Sequence, residues 1–333
     1  MPCTPGAYGT GVKLSLSLVA LASVLISSAT AAPSPPRTLS ASASLVGLAA
    51  DGQRAAFATA PLGAYCGRAG LWNWRSRTVT RFAPIRCAGG TSTGRGSAGL
   101  SQAGPRVLWV TYVGGNIREW SLWTATSTAP RPRRLAFVAR DVDASPPFLL
   151  GGGDASRFGD LLPYAVGRTV VVVSRTGART TWTTDRPVRA LAAKDGEIAV
   201  ASGTLEETIV AVYDARGRIL HPAVARVRDL RAVLITGTGL VVQHGRSLSL
   251  FGGVAPRVWT LPASSRLTDA HGNLAAYVRG REVHVRRLDN GRDAIVRRTK
   301  RAPLAQLESD GLLVADGRRV TLVPMRDVLR RLG

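Results

Sequence analysis

Metal-ligating and reactive side chains are scarce in this 333-residue chain. The histidines are His221, His244, His271 and His284, and no two have the spacing of metal ligands. With only three cysteines, classical zinc modules lack their ligands. Neither a calcium loop of alternating aspartates nor a phosphate loop with its lysine occurs. We therefore expect no metal site and no cofactor.

Long apolar runs are also rare, and the clearest extends from Leu14 to Ile26. It is too short to span a bilayer, follows Lys13 and precedes the small-residue motif Ala29-x-Ala31, as in a secretory signal cleaved after Ala31. A retained N-terminal anchor is the alternative. We expect a signal peptide (1–31), a Pro-rich lead-in (32–36) and a single domain (37–333). A secreted or extracytoplasmic protein without a transmembrane span would result.

Export would reduce the three cysteines to two, because cleavage removes Cys3 and leaves Cys66 and Cys87 as a pair. An even pair in an oxidising compartment predicts a disulfide. Its loop of about 20 residues would contribute roughly 3 kcal/mol in the chain-entropy treatment. Two free buried thiols are the alternative.

Glycine-containing turns recur along the chain and mark an internal repeat. The first turn of each unit falls at Gly52, Gly104, Gly159, Gly196, Gly239, Gly272 and Gly311. The intervals from Gly52 to Gly311 average about 43 residues. Such turns need positive φ and are typical of β-hairpins. An apolar strand follows most of them, then a second, Gly-Arg turn, then a third strand such as 169–173.

Several units continue into a polar fourth strand, and helical periodicity is missing outside the signal. Four strands per unit and about seven units predict an all-β fold, a β-propeller of seven four-stranded blades, with six or eight possible. Residues 325–332 are expected to form a helical turn or a frayed strand. The last unit lacks an outer strand, which the segment 37–42 is expected to supply.

The repeated units resemble those of the WD40-like, TolB-like and pyrroloquinoline-quinone-like propellers of exported bacterial proteins. The resemblance covers most of residues 40–325 and is architectural, because the Gly-His and Trp-Asp signatures of true WD40 repeats are absent. The segment 176–182 is similar to the TGxxxW turn of quinone-binding repeats but occurs clearly only once. We interpret it as a hairpin turn with Trp182 as a packing residue. Trp72, Trp74, Trp120 and Trp123 are expected to pack between blades; the alternative is a sugar-stacking platform near the disulfide loop.

Basic residues are the main chemical asymmetry, with 44 Lys and Arg against 21 Asp and Glu and a net charge of +23. Second turns and blade crossings open on one face of a propeller, where eight arginines are expected to form a positive rim. These candidate anion-binding residues are Arg168, Arg189, Arg228, Arg246, Arg266, Arg281, Arg301 and Arg318. The competing interpretation is a solvated surface reflecting a GC-rich coding bias, since nearly all the basic residues are arginine.

The missing acid–base, metal and cofactor constellations favour a secreted binding or scaffold module without catalysis, expected to be a monomer. Its expected partner is a protein or an anionic cell-envelope polymer. Nucleic acid is not expected, because the chain is exported and no basic strand is interleaved with aromatics. The alternative is an exported propeller enzyme acting on glycans or peptides. That enzyme would need carboxylates or a Ser/His pair in the central funnel.

Overall fold

The computed structural model describes residues 37–87, 94–141, 145–156, 159–253 and 255–333. The predicted signal and lead-in lie outside them. The described residues form β-strands and a C-terminal helix, α1 (Met325–Leu332). Within these ranges, no helix is long and apolar enough to cross a membrane.

The strands of the first half follow one another at short intervals. They are β1 (Thr38–Ser40), β2 (Leu45–Asp51), β3 (Arg54–Thr59), β4 (Ala69–Asn73), β5 (Thr78–Arg81), β6 (Arg95–Ala103), β7 (Arg106–Val113), β8 (Ile117–Thr126), β9 (Arg133–Asp141), β10 (Leu149–Leu150), β11 (Asp154–Ser156), β12 (Gly159–Val166), β13 (Thr169–Val173) and β14 (Arg179–Thr183).

The second half continues the pattern more regularly. Its strands are β15 (Val188–Lys194), β16 (Glu197–Gly203), β17 (Thr208–Asp214), β18 (Ile219–Val227), β19 (Leu230–Thr236), β20 (Gly239–His244), β21 (Ser247–Phe251), β22 (Arg257–Thr260), β23 (Arg266–His271), β24 (Leu274–Arg279), β25 (Glu282–Arg287), β26 (Asp293–Arg298), β27 (Leu304–Glu308), β28 (Gly311–Asp316) and β29 (Arg319–Pro324).

These strands form seven antiparallel sheets, which are the blades of a propeller. Blades 1 and 2 are β2–β5 and β6–β9, blade 3 is β10–β14, and blades 4, 5 and 6 are β15–β18, β19–β22 and β23–β26. Blade 7 is β27–β29 with β1 as its outer strand. The predicted seven-bladed, essentially all-β fold is confirmed.

The predicted clasp between the chain's two ends is present in blade 7. Thr38 pairs with Thr321 and Ser40 with Arg319, so an N-terminal strand completes a sheet built from C-terminal ones. Leu39, between them, is 5% exposed and joins the core between blades 7 and 1. The clasp removes a free sheet edge that would otherwise be open to pairing.

Buried side chains gather at every boundary between neighbouring blades. Among the described residues, seven apolar clusters occur, one for each of the seven boundaries in the ring. Middle strands such as β13, with the sequence TVVVV, are buried on both faces because a blade flanks each side. The helix α1 contributes Val328 and Leu332 to the cluster between blades 6 and 7, so the helical alternative for 325–332 is the correct one.

Turn glycines occupy the conformations that the repeat requires. Gly52, Gly104 and Gly272 have φ of +63°, +51° and +56°, and glycines of the Gly-Arg turns, such as Gly167 and Gly280, have +61° and +58°. Most other residues are strained at positive φ, so the turns form where the sequence has glycine. The period of about 43 residues therefore reflects the spacing of these glycines.

Blade 3 departs from four regular strands because its inner strand is interrupted by the run Gly151-Gly152-Gly153. The run separates β10 from β11, and both strands pair with β12. A side chain at Gly153 would overlap the backbone oxygen of Gln102 in blade 2. The glycine run therefore breaks the inner strand of the first hairpin of blade 3 and lets two blades approach closely.

Candidate functional site

All eight predicted rim arginines lie on one face of the ring, and all are exposed. Four occupy turns between the second and third strands of blades, and four lie in or beside blade crossings. Both kinds of connection fall at the same end of an antiparallel four-stranded blade. We call this end the rim face and the eight residues the arginine rim.

Two members of the arginine rim, Arg246 and Arg266, share one cavity of about 440 Å³ between blades 5 and 6. We call this cavity the rim pocket. Arg231 also lines it, and its guanidinium lies 2.9 Å from the carboxylate of Asp229. Three cations and one anion therefore surround the rim pocket, which keeps a positive excess.

The walls of the rim pocket are fixed by a buried glutamine. The side-chain amide of Gln243 donates to the carbonyl of Ser265 at 2.8 Å and accepts from the N–H of Leu267 at 2.7 Å. These bonds hold the crossing from blade 5 to blade 6 in place. The hydroxyl of Ser265 is buried at the pocket and has no hydrogen-bond partner in the described part of the chain. A buried hydroxyl without a partner is costly unless a ligand or water satisfies it.

Rim arginines also bond the fold locally, and Arg246 is one of them, because its Nε donates to the carbonyl of Leu261 at 3.4 Å. The Nε of Arg168 donates to the carbonyl of Thr184 at 2.9 Å, and the guanidinium of Arg301 donates to the hydroxyl of Ser44 at 3.1 Å. Blade 4 interrupts the positive charge of the rim face. Its second turn contains Glu207 where several other blades have Gly-Arg, and the carboxylate of Glu207 lies 2.6 Å from the guanidinium of Arg186. The positive charge of the rim face is therefore unevenly distributed, with an excess at the rim pocket and an ion pair at blade 4.

The central channel differs in its charged residues from the arginine rim. Its cavity of about 240 Å³ is lined by inner strands of all seven blades, and none of the arginine rim lines it. Acidic side chains and one lysine stand where the first turns lie, at the end opposite the rim face. They are Asp51, Lys194, Asp269 and Glu308. The sequence analysis did not predict this convergence.

Burial dominates the electrostatics of the channel. It raises the pKa of Asp51 to about 6 against hydrogen bonds from Gly104 and Ala155, and the charge of Asp154 adds to the rise. Burial likewise raises the pKa of Asp269 to about 6. Glu308 has the largest shift, to a pKa of about 9, through burial first and then through the charges of Asp269 and Asp51.

The channel aspartates also connect neighbouring blades through backbone hydrogen bonds. Asp51 of blade 1 accepts from the N–H of Gly104 at 2.5 Å and from that of Ala155 at 2.9 Å. Asp269 of blade 6 accepts from the N–H of Leu307 in blade 7 at 2.7 Å. A carboxylate near the end of the inner strand in several blades was the sequence signal for this role.

The predicted disulfide joins Cys66 and Cys87, whose Cα atoms are 5.4 Å apart. It links the loop between β3 and β4 to the crossing from blade 1 to blade 2. The backbone N–H of Cys87 also donates to the carbonyl of Ala64 at 2.9 Å. The crossing is thereby held against blade 1.

His284 is a buried strand residue and is 7% exposed. Its Nδ1 lies 3.1 Å from a carboxylate oxygen of Asp293, and its Nε2 lies 3.3 Å from one of Glu282. The ring also stacks on Tyr277, with 4.7 Å between centroids. Across the described ranges, no cluster of three or more His, Cys, Asp or Glu residues has a metal-binding arrangement.

The packing predictions for tryptophan agree with the structure. Trp74 is fully buried and its Nε1 donates to Asp310 at 3.1 Å, which links blade 1 to blade 7. Trp120 is 2% exposed, and Trp182 lies with its ring centroid 6.2 Å from that of Tyr213. Trp123 is partly buried, packs against the cluster between blades 1 and 2 and also lines a surface groove.

Comparison with known proteins gives a fold and no family. No protein family description and no curated protein matches the sequence. Among solved structures, the chain is similar to one in the mitotic checkpoint complex, with 14% identity, 97% of this chain and 100% of that chain covered, and a TM-score of 0.53. It is also similar to a chain of Kuenenia stuttgartiensis hydrazine synthase, with 14% identity, coverage of 83% and 94%, and a TM-score of 0.55. The chain therefore has a seven-bladed β-propeller fold that resembles WD40-type propellers.

Proposed function

We propose that this protein is an exported, non-catalytic binding module whose arginine rim engages an anionic polymer of the cell envelope. Export is supported by the signal-like residues 1–31 and by the disulfide between Cys66 and Cys87. A binding role is consistent with the propeller neighbours among solved structures. An acidic protein partner would use the same face and the same chemistry.

One observation carries the proposal: Arg231, Arg246 and Arg266 converge on the rim pocket beside the unpartnered hydroxyl of Ser265. Guanidinium groups bind phosphate and carboxylate in a bidentate manner, and a serine hydroxyl donates a further hydrogen bond. The large excess of basic over acidic residues would attract a polyanion from a distance and increase its rate of association.

The experiment measures binding of poly(glycerol phosphate) by calorimetry over a range of salt concentrations. The double variant Arg246→Gln/Arg266→Gln removes two cations from the rim pocket. Hydrogen bonds to charged groups contribute about 1.5–3 kcal/mol each, so affinity should fall at least tenfold. The dependence of affinity on salt should also become weaker.

The matched control is Arg75→Gln/Arg216→Gln, which removes the same charge from exposed turns on the opposite face. It should leave affinity within about twofold. An equal loss of affinity in both double variants would show that only net charge matters and would contradict a site on the rim. Binding that does not weaken at high salt would also contradict the proposal.

The channel carboxylates are the observation that favours the second candidate, an exported enzyme acting on glycans or peptides. Raised carboxyl pKa values suit a general acid. However, Asp51 and Asp269 already accept backbone hydrogen bonds, and a cavity of about 240 Å³ is smaller than most ligand pockets, which start near ~300 Å³. Turnover of a glycan or peptide that Asp269→Asn abolishes would establish the enzyme and overturn the non-catalytic assignment.

A further inference from the structure

Another cavity lies between blades 1 and 2 beside the disulfide, with a volume of about 410 Å³. We call it the disulfide groove. It exists because the outer strand of blade 1, β5, has four residues, whereas β8 and β9 of blade 2 have ten and nine. The longer strands of blade 2 extend past blade 1, and their exposed face meets the disulfide-held crossing that contains Arg86. The volume falls within the ~300–1,000 Å³ of small-ligand sites.

The strand register arranges polar and aromatic side chains in rows on this face of blade 2. Ser121 of β8 pairs with Thr111 of β7 on one side and with Phe137 of β9 on the other. Glu119 lies two residues along β8 from Ser121, on the same face. Directly opposed side chains in a sheet are about 4.5–5.5 Å apart at Cβ, so the row presents a nearly flat platform.

A β-bulge adds an arginine to the platform. The register of β9 shifts between the pairs that Leu122 and Trp123 make, so that Trp123 pairs with Arg134. Regular alternation would point Arg134 and Phe137, three residues apart, to opposite faces. The bulge brings both to the disulfide groove, which is the kind of redirection that bulges provide at binding sites.

The groove side chains are left available for a ligand. Phe137 is 47% exposed, and the guanidinium of Arg134 lies 5.3 Å from its ring centroid and 6.0 Å from that of Trp123. Arg86 and Arg134 are exposed. Within the described ranges, no ion pair occupies either arginine or Glu119.

We propose that the disulfide groove binds a saccharide whose ring carries a carboxylate, such as a hexuronate. The C–H groups of the sugar ring lie against the electron-rich face of Phe137. The carboxylate pairs with Arg134 and Arg86, which supply charge complementarity and bidentate geometry. Glu119 and Ser121 bond the ring hydroxyls. The site is separate from the rim pocket, because the two cavities share no lining residue.

The test compares a glucuronic acid–containing disaccharide with its neutral glucose counterpart by calorimetry on the full-length protein. Wild type should bind the acidic disaccharide at least tenfold more tightly. Phe137→Ala should weaken binding of the acidic disaccharide at least tenfold, because the stacking surface is lost. Arg134→Gln should remove the preference, leaving similar affinities for the two sugars. The change in tryptophan fluorescence when the disaccharide binds gives a second readout. Trp123→Phe should eliminate this change, because Trp123 lines the groove.

Val258→Ala and Arg297→Gln are the matched controls, since both residues are exposed on outer strands of other blades. They should bind like wild type, and thermal melts of all variants should agree within a few degrees. Equal binding of both sugars by wild type, or groove variants that behave like the controls, would overturn the proposal. An acidic peptide that binds more tightly with the same dependence on Phe137 would overturn the saccharide assignment.

The rim variant Arg246→Gln/Arg266→Gln separates this inference from the proposed function. It should weaken binding of poly(glycerol phosphate) and leave binding of the acidic disaccharide unchanged. Loss of disaccharide binding in the rim variant would place the sugar in the rim pocket and overturn the groove. Loss of polymer binding only in groove variants would overturn the rim proposal and leave the groove standing.

Discussion

The stability of the ring should depend on the protonation of Glu308. This residue ends β27, is 8% exposed and faces the channel near Asp51 and Asp269. Its pKa is raised from 4.5 to about 9, mainly by burial and then by the charges of Asp269 and Asp51. The folded protein therefore keeps the carboxyl protonated at pH values where the unfolded chain has released the proton.

The sign of the pH dependence follows from this difference in bound protons. Because the folded state holds more protons between pH 4.5 and about 9, the free energy of unfolding falls as pH rises through that window. The free energy of unfolding at pH 7 is therefore about 3 kcal/mol lower than at pH 4.5. This value comes from about 2.5 pH units at about 1.36 kcal/mol per unit. Above about pH 9 the full penalty applies.

Glu308→Gln removes the titration while preserving the size and shape of the side chain. The variant and wild type should have similar stability near pH 4.5. At pH 7 the variant should be more stable by about 3 kcal/mol, a difference in melting temperature on the order of 5 °C for a domain of this size. Denaturant unfolding at several pH values measures the difference, and calorimetric melts check it.

Glu119→Gln is the matched control, because it makes the same chemical change at an exposed strand position. Its stability relative to wild type should be the same at every pH. If the difference between wild type and Glu308→Gln were constant from pH 4.5 to 8, Glu308 would not be the buried proton carrier. A wild-type protein that gained stability relative to the variant as pH rose would contradict the sign.

Three further predictions concern the architecture. Deleting residues 32–43 removes the clasp strand and its buried leucine, and should lower the melting temperature by several degrees; an unchanged melt would show that the clasp is dispensable. Replacing Cys66 and Cys87 with serine should lower the free energy of unfolding by about 3 kcal/mol, and intact mass of the native protein should rise by two hydrogens on reduction. Gly153→Ala should destabilise by roughly 1–3 kcal/mol because its side chain overlaps blade 2, whereas Gly152→Ala, which meets nothing within 4 Å, should not; similar melts would refute the close approach.

The local features of this fold were predictable because each depends on a short stretch of sequence. Glycines at positive φ define the hairpins, and strands such as 169–173 match the predicted ranges. The clasp was predictable because a blade with three strands leaves one edge to fill. The break that residues 151–153 make in the inner strand of blade 3 was harder to predict, because it depends on the blade beside it.

The candidate sites were predictable only in part. The sequence placed Arg246 and Arg266 on one face, since topology alone decides which end a turn occupies. It did not show that these two converge on one cavity. That convergence depends on how Gln243 holds the crossing between blades, through contacts between a side chain and the backbone.

The sequence by itself determined the repeat and the propeller of about seven blades, because these depend on periodic turns and local strand patterns. Only the tertiary structure decided what the ring brings together. Asp51 and Glu308 lie at opposite ends of the chain, yet radial closure places both in one channel, where burial changes their chemistry. Likewise, strands of unequal length and one β-bulge create the disulfide groove. Periodicity fixes the direction of each strand, but the environment of a side chain depends on neighbours distant in sequence.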